Sequence, residues 1–361
     1  MPRCLIGLGA NLGNRRETLN QAVELLAQDG RLRLLDVSRW HETKPVGGSP
    51  DQPAYLNGVA TVETTLAPRA LLAVLHEIED RLGRRRQSRW APRSIDLDLL
   101  LHGDHVEQSA SLVVPHPRMA WRRFVLEPAS EVAASFVHPV VGWSVAQLLA
   151  HLDTSPPYVA VTGIAGEMRT RFARRVAERC AADTLLDSEP AGTKRSRALG
   201  WTAPARTQWH AIASRFHLDP SCNELSIGLE CLRRRAQRLA AGDPRWSRPD
   251  RFTVGDFWFD ESKAWAACRI VAGQQSLFFQ VWRRLAPRVV RPKLVVLLDV
   301  STKQWRKPAG ASGSQIAIFK EQRRALDRQL RRQDVGPVLR LAHPESEESL
   351  EEVAAAIRAT A

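Results

Sequence analysis

The sequence predicts an α+β domain followed by an α/β domain built on a parallel sheet, and three observations carry that expectation. Over the first 150 residues, extended and helical apolar spacings follow one another in the order β-α-β-β-α-β. Beyond residue 158, short apolar runs are separated by long helical stretches, as in strands joined by crossover helices. Between the two, residues 153–157 read Asp-Thr-Ser-Pro-Pro, and paired prolines cannot continue a helix. The expected domains are residues 1–153 and 158–361.

In the first half, residues 4–9 read as a buried strand. Residues 15–27 carry Leu19, Ala22, Val23, Leu26 and Ala27 at the spacing of an amphipathic helix. Residues 31–41 and 57–64 read as strands, and residues 68–82 set Leu71, Leu72, Leu75, Ile78 and Leu82 on one helical face. Residues 95–101 return as a strand. Two helices on one face of a mainly antiparallel sheet is the ferredoxin-like arrangement. In the second half, strands are expected at 158–163, 184–186, 252–256 and 294–300. Helices are expected at 169–182, 223–241, 261–284 and 315–333, with a flexible loop or lid at 308–314, Pro-Ala-Gly-Ala-Ser-Gly-Ser.

The 361 residues are 44% hydrophobic and 25% charged, which excludes a disordered or collagen-like chain. The formal charge of +13 asks for a polyanionic partner or phosphate-bearing substrates. It is unevenly placed: residues 1–150 hold 17 basic and 16 acidic side chains, residues 151–361 hold 35 and 23. The basic residues of the second half fall on amphipathic stretches such as 233–238 and 323–332, with no helix-turn-helix, RRM or zinc pattern, so nucleic acid is the disfavoured partner. No apolar run approaches the length of a membrane helix, and a cytoplasmic, membrane-free setting is expected. Five cysteines without CxxC spacing read as reduced thiols.

The most informative string is Gly83-Arg-Arg-Arg-Gln-Ser-Arg-Trp-Ala-Pro-Arg-Ser-Ile-Asp-Leu-Asp98. Residues two apart on a strand share a face, so Asp96 and Asp98 project together while Ile95 and Leu97 face the core. Two co-facing carboxylates suit Mg²⁺, which takes oxygen ligands together with substrate phosphates. Arg84, Arg85, Arg86, Arg89 and Arg93 add forked donors suited to phosphate.

Five ordered segments then carry a resemblance: Gly7-Leu-Gly-Ala-Asn-Leu-Gly13; Glu42-Thr-Lys-Pro-Val-Gly47; Asp51-Gln-Pro-Ala-Tyr-Leu-Asn57; Arg89 to Asp98; and Val114-Pro-His-Pro-Arg-Met119 leading to Arg122 and Phe124. Through them the first 150 residues resemble the 6-hydroxymethyl-7,8-dihydropterin pyrophosphokinases of folate biosynthesis. The resemblance implies diphosphoryl transfer from ATP to the pterin hydroxyl, releasing AMP. It implies that Thr43, the backbone at Val46, and Asn57 bond the pterin edge while Tyr55 and Phe124 sandwich its ring. Asp96 and Asp98 would hold two Mg²⁺; Arg84, Arg86, Arg93, His116 and Arg122 would neutralise the triphosphate; His76 and Glu79 would lie near the nucleotide. Read alone, Tyr55 is equally a rim aromatic and His116 equally a structural residue between two prolines.

In the second half, Val161-Thr-Gly-Ile-Ala-Gly-Glu-Met-Arg-Thr170 sits between strand and helix like a phosphate-binding loop. Gly163 and Thr170 fit GxxxxGK[ST], but Met168 replaces the second glycine and Arg169 the lysine. The order around it resembles the deoxynucleoside kinases. Glu189, in Leu185-Leu-Asp-Ser-Glu-Pro190, matches that family's general base; Asp256 falls in its strand-to-helix segment; Arg306 and Lys307 stand for its lid arginines. The resemblance implies an α/β P-loop kinase-like fold, a nucleoside substrate and a homodimer through this half. Three readings stand: an inactive or weakened kinase fold, an active deoxynucleoside kinase making the chain bifunctional, or a polyanion-binding regulatory module.

Overall fold

The structure is a computed structural model and describes residues 1–47, 52–84, 92–163, 166–187, 224–248, 250–300 and 313–361. By packing, the chain forms two compact units. One comprises Met1–Thr154, Gln333–Leu339 and Glu351–Ala361; the other comprises Ser155–Arg332 and Arg340–Leu350. The first change of unit falls within the Asp-Thr-Ser-Pro-Pro connector, and the last eleven residues belong with the first unit.

The first unit contains β1 (Arg3–Ala10), α1 (Arg15–Gln28), β2 (Leu32–Val37), β3 (His41–Thr43), β4 (Tyr55–Thr64), α2 (Pro68–Arg81) and β5 (Asp96–His102). A short β6 (Glu107–Gln108) and β7 (Val113–Val114) hairpin follows, then α3 (Arg123–Ala133) and α4 (Val145–Thr154). The sheet order is β2-β4-β1-β5 with β3 also on β4, and every pairing is antiparallel. Alternation divides its faces. Cys4, Ile6, Leu8 and Ala10 of β1 join Leu97 and Leu99 of β5 in the core with Leu19, Leu26, Leu71, Leu75 and Ile78 of α1 and α2. The residues between them, Gly7, Gly9, Asp96 and Asp98, are left to the opposite face.

Local chemistry sets the boundaries. The Asn14 side chain accepts from Glu17 N and caps α1, and Pro68 opens α2 where its missing N–H costs nothing. Gly83, at φ +74°, closes α2 in a Schellman turn: its N–H bonds Asp80 O at 3.0 Å and Arg84 N–H bonds Glu79 O at 3.0 Å. The expected strand over 31–41 is two strands. Ser38 Oγ leaves the ladder pattern to accept from Val59 N, and the register slips between Leu34 and Asp36.

The second unit runs β8 (Tyr158–Thr162), α5 (Gly166–Arg179), β9 (Asp183–Leu185), α6 (Glu224–Arg238), β10 (Thr253–Gly255), α7 (Glu261–Arg269), α8 (Ala272–Leu285), β11 (Leu294–Leu298), α9 (Gly313–Leu330) and β12 (Val338–Leu341). The chain ends with α10 (Glu347–Ala359). Its sheet has the order β12-β11-β8-β10-β9, with β8, β9, β10 and β11 paired in parallel. Two helical expectations change. The helix over 261–284 breaks at Ile270 and Val271, whose backbones are extended. The helix expected from 169 begins at Gly166, so Met168 and Arg169 lie inside its first turn.

Candidate active site

The site of the first unit lies on the sheet face left open by α1 and α2. Register places Asn57 opposite Gly9 and Gly9 opposite Asp96, while Gly7 stands opposite Asp98. Glycine at these positions keeps the floor bare. A Cβ on Gly9 would reach Asn57 Oδ1 at 3.0 Å, and one on Gly7 would press on the Leu100 side chain at 3.3 Å. Around this floor Thr43, Val46, Gly47, Tyr55, Asn57, Arg93, Asp96, Asp98, Arg122 and Phe124 line one pocket.

Strand β3 and the Glu42 to Gly47 stretch form one wall. Asn57 Nδ2 donates to Thr43 Oγ1 at 2.7 Å, and Arg15 holds the far side by donating to Ala54 O at 2.6 Å and Glu42 Oε2 at 3.0 Å. The opposite wall comes from the turn before α3, where the Arg122 guanidinium lies 5.4 Å from the centre of the Phe124 ring. Burial, foremost, lowers the Arg122 pKa to about 10.

The two carboxylates differ. Asp96 has an arginine on each oxygen, Arg84 Nη2 on Oδ1 and Arg93 Nη1 on Oδ2, both at 2.7 Å. Burial and then the neighbouring Asp98 charge push its carboxyl above the ordinary range, against the pull of Arg93, Arg84 and Arg122. Asp98 has a side chain 39% exposed and, among the described residues, faces the His116 ring, Nε2 to Oδ2 at 3.9 Å. Among the described residues no three ligating side chains gather for an all-protein metal site. Two co-facing carboxylates with open space before them nevertheless fit a hard cation that completes its shell with phosphate oxygens and water.

Glu79 is set back from this pocket. It is 1% exposed, accepts from Leu97 N at 2.7 Å, pairs with Arg84, and is absent from the pocket lining. The Schellman turn brings Arg84 back over Glu79, so this carboxylate stands behind Asp96 rather than on the open face. His76, three residues earlier on α2, is half-buried and also outside the lining. Burial, ahead of the Arg122 and Arg118 charges, holds the His116 ring well below its ordinary pKa. Arg86, with Arg85 and Arg89, lies outside the described residues.

One organising residue carries no assigned role in the sequence reading. Asn11, 1% exposed, accepts from Arg93 N at 2.8 Å through Oδ1, and its own N–H donates to Arg93 O at 3.1 Å. Its Nδ2 reaches Gln52 Oε1 and Pro53 O at 3.4 Å. An asparagine between glycines of Gly7–Gly13 was the available signal, since a short amide can pair with backbone on both sides.

In the second unit Gly163, Arg169, Thr170 and Asp256 come together, while Glu189, Arg306 and Lys307 lie outside the described residues, as does most of the 308–314 loop. Gly163, at φ +145°, could carry a Cβ only 3.1 Å from Leu298 O. Arg169 Nη1 donates to Gly163 O at 3.1 Å and to Glu261 Oε1 at 2.8 Å. Thr170 Oγ1 donates to Asp256 Oδ2 at 2.5 Å, and the other Asp256 oxygen accepts from Asp187 N at 2.6 Å. Asp187 in turn pairs with Arg235 at 2.7 Å, and these charges hold its carboxyl far below the usual range against the opposing effect of burial. Among the described residues, Cys4, Cys180, Cys231 and Cys268 are free thiols, and no helix is long and apolar enough to cross a membrane.

Residues 5–134 match the 7,8-dihydro-6-hydroxymethylpterin-pyrophosphokinase family. The 2-amino-4-hydroxy-6-hydroxymethyldihydropteridine pyrophosphokinase of Synechocystis sp. is 36% identical over 160 residues, covering 44% of this chain and 81% of that protein. The protein of the same name from Bacillus subtilis is 45% identical over 127 residues, 35% of this chain and 75% of that one. A solved deoxyadenosine kinase from M. mycoides with bound dCTP covers 54% of this chain and 95% of its own. At 11% identity and a TM-score of 0.38, that likeness is too slight to bear on function. By the match over residues 5–134 and these extended identities, the chain belongs to the 7,8-dihydro-6-hydroxymethylpterin-pyrophosphokinase family.

Proposed function

We propose that the first unit is a cytoplasmic enzyme of folate biosynthesis that transfers a diphosphoryl group from ATP to 6-hydroxymethyl-7,8-dihydropterin. The observation that carries this reading is the row Asn57, Gly9 and Asp96 across three adjacent strands, an amide and a carboxylate on either side of a bare glycine. A flat pterin between Tyr55 and Phe124 would meet Asn57, Thr43 and the backbone at Val46 with its polar edge. The strand order β2-β4-β1-β5 supports the ferredoxin-like reading of this unit.

In the transfer, the hydroxymethyl oxygen bonds to the β-phosphorus of ATP as the bond from that phosphorus to the α–β bridging oxygen breaks. AMP leaves and the hydroxyl proton is released. Arg93 and Arg122, with Arg84 and Arg86, neutralise the polyphosphate, His116 offers it a neutral ring N–H, and catalysis rests on positioning and charge stabilisation. Asp96 and Asp98 would hold two Mg²⁺, which supply charge neutralisation along the phosphates. Glu79 serves by orienting Arg84, and His76 lies one helical turn from it. The test is AMP release from Mg·ATP in the presence of the dihydropterin. Wild type is expected to turn over and Asp96→Ala to lose activity by at least about a hundredfold, as for loss of a charge-stabilising group; equal, slow release by both overturns the reading.

For the second unit we infer an inactive nucleoside-kinase-like fold. Support comes from Arg169 and Thr170: the two side chains a phosphate loop would turn to a nucleotide are bonded to Glu261 and Asp256 instead. A nucleoside panel with ATP is expected to show no phosphorylation. Phosphorylation of any nucleoside that Glu189→Ala abolishes would restore the bifunctional reading.

A further inference from the structure

The wall of the pterin pocket formed by Val46 and Gly47 is held from outside by the far end of the chain. Arg358 on α10 donates Nε–H to Val46 O at 2.8 Å, a contact spanning 312 positions of sequence within the first unit. The helix is seated and not merely touching. Glu352, two turns earlier, takes both Nε at 3.0 Å and Nη2 at 2.7 Å of Arg118, and Ala355, Ala356 and Ala359 are buried where they line a small cavity with Val46 and Trp121.

The geometry of one peptide gives this contact a consequence. The Val46–Gly47 bond is trans, so its C=O and N–H point in opposite directions. Arg358 does not line the pocket, whereas Val46 and Gly47 do. A carbonyl turned outward to Arg358 therefore turns the Gly47 N–H inward, and that N–H has no hydrogen-bond partner among the described residues. Glycine at 47 would otherwise leave this peptide free to rotate.

We propose that Arg358 is a positioning residue for the pterin subsite: by holding Val46 O it presents the Gly47 N–H as a donor to an acceptor atom on the edge of the heterocycle. The inference rests on the pterin reading of the first unit. Its cost, if lost, falls on binding of one substrate, because among the described residues no hydrogen bond joins this peptide to Asp96, Asp98, Arg84, Arg93 or Arg122.

The experiment is steady-state AMP release by the full chain, varying the dihydropterin and ATP separately, for wild type, Arg358→Ala, Arg358→Lys and Glu351→Gln. Arg358→Ala is expected to raise the pterin KM about tenfold, the effect of one charge-assisted hydrogen bond, with kcat and the ATP KM within about twofold. Arg358→Lys keeps a cationic donor and recovers part of the loss. Glu351→Gln removes the charge from the other partner of Arg358, at 2.5 Å, and should leave the pterin KM unchanged. An unchanged pterin KM in Arg358→Ala, or an equal rise in both KM values, overturns the positioning role while the pterin reading stands. No AMP release by wild type overturns that reading and this inference with it.

Discussion

Asn57 Nδ2 donates to Thr43 Oγ1 across 2.7 Å and so fixes the first residue of the open wall to the central strand pair. Both side chains line the pocket, and Asn57 is 8% exposed. Asn57→Ala removes the amide and leaves the Thr43 hydroxyl unpaired, which costs about 1–3 kcal/mol. The pterin KM should rise roughly tenfold or more by that measure. Thr43→Val, which keeps the amide, should lose less. Titration of pterin fluorescence against each variant checks the order, and a smaller loss in Asn57→Ala than in Thr43→Val would refute it.

Asn11 makes a different kind of contribution. It is buried and bonded to both backbone groups of Arg93, which itself reaches Asp96. Asn11→Ala is expected to destabilise the first unit by about 2–3 kcal/mol, from several buried hydrogen bonds lost together. It should lower kcat more than it raises the pterin KM, because the phosphate-side arginine keeps only the main-chain bond to residue 11. Urea unfolding followed by single-turnover AMP release measures the two separately. Loss of stability with kcat intact would show that Arg93 keeps its place without Asn11.

Arg169 and Glu261 form a pair at 2.8 Å with side chains 13% and 14% exposed. Glu261 also accepts from Thr162 Oγ1 at 2.7 Å. Removing one member leaves Arg169 with Gly163 O, or Glu261 with Thr162 and the more distant Arg235 at 3.7 Å, so Arg169→Ala and Glu261→Ala should each cost about 3 kcal/mol. The double variant should lose clearly less than the sum, by roughly 1–3 kcal/mol of coupling. Denaturant midpoints for the four proteins close this cycle. Simple additivity would mean that Arg169 is free to serve a phosphate, against the inactive reading of this unit.

How much of this was legible follows from the period of each signal. Asp96 and Asp98 could be paired from the sequence because a strand alternates strictly, and Ile95 and Leu97, which alternate with them, are core residues as expected. The seat of α10 could not be read. Val353, Ala354, Ala355, Ala356 and Ile357 are buried in succession, so the helix shows no single apolar stripe from which to infer its neighbour. Helix α3 carries Pro128 in its interior, where proline ordinarily argues against a helix, and it was not anticipated. The burial of Glu79 could not be read either, because its partner Leu97 N is brought to it by the packing of α2 on β5, eighteen positions along the chain.

The turn at His138 offers a test of the first unit that is independent of catalysis. Its ring is buried, its Nδ1 accepts from Val141 N at 3.2 Å, and its main-chain N–H donates to Trp143 O at 2.9 Å. Burial lowers its pKa from 6.5 to about 4, so the folded state keeps the ring neutral where the unfolded chain protonates it. The unfolded state therefore binds more protons between those two values, and stability must fall as pH falls through that window. The contribution is complete above about pH 6.5 and spent below about pH 4, and amounts to on the order of 3 kcal/mol. His138→Asn keeps a short acceptor without a titrating ring. Its unfolding free energy should change less than that of wild type between pH 6.5 and 4, with the two curves parallel at higher pH. Equal slopes through the window would mean that the folded turn admits the protonated ring, and the burial argument would fail.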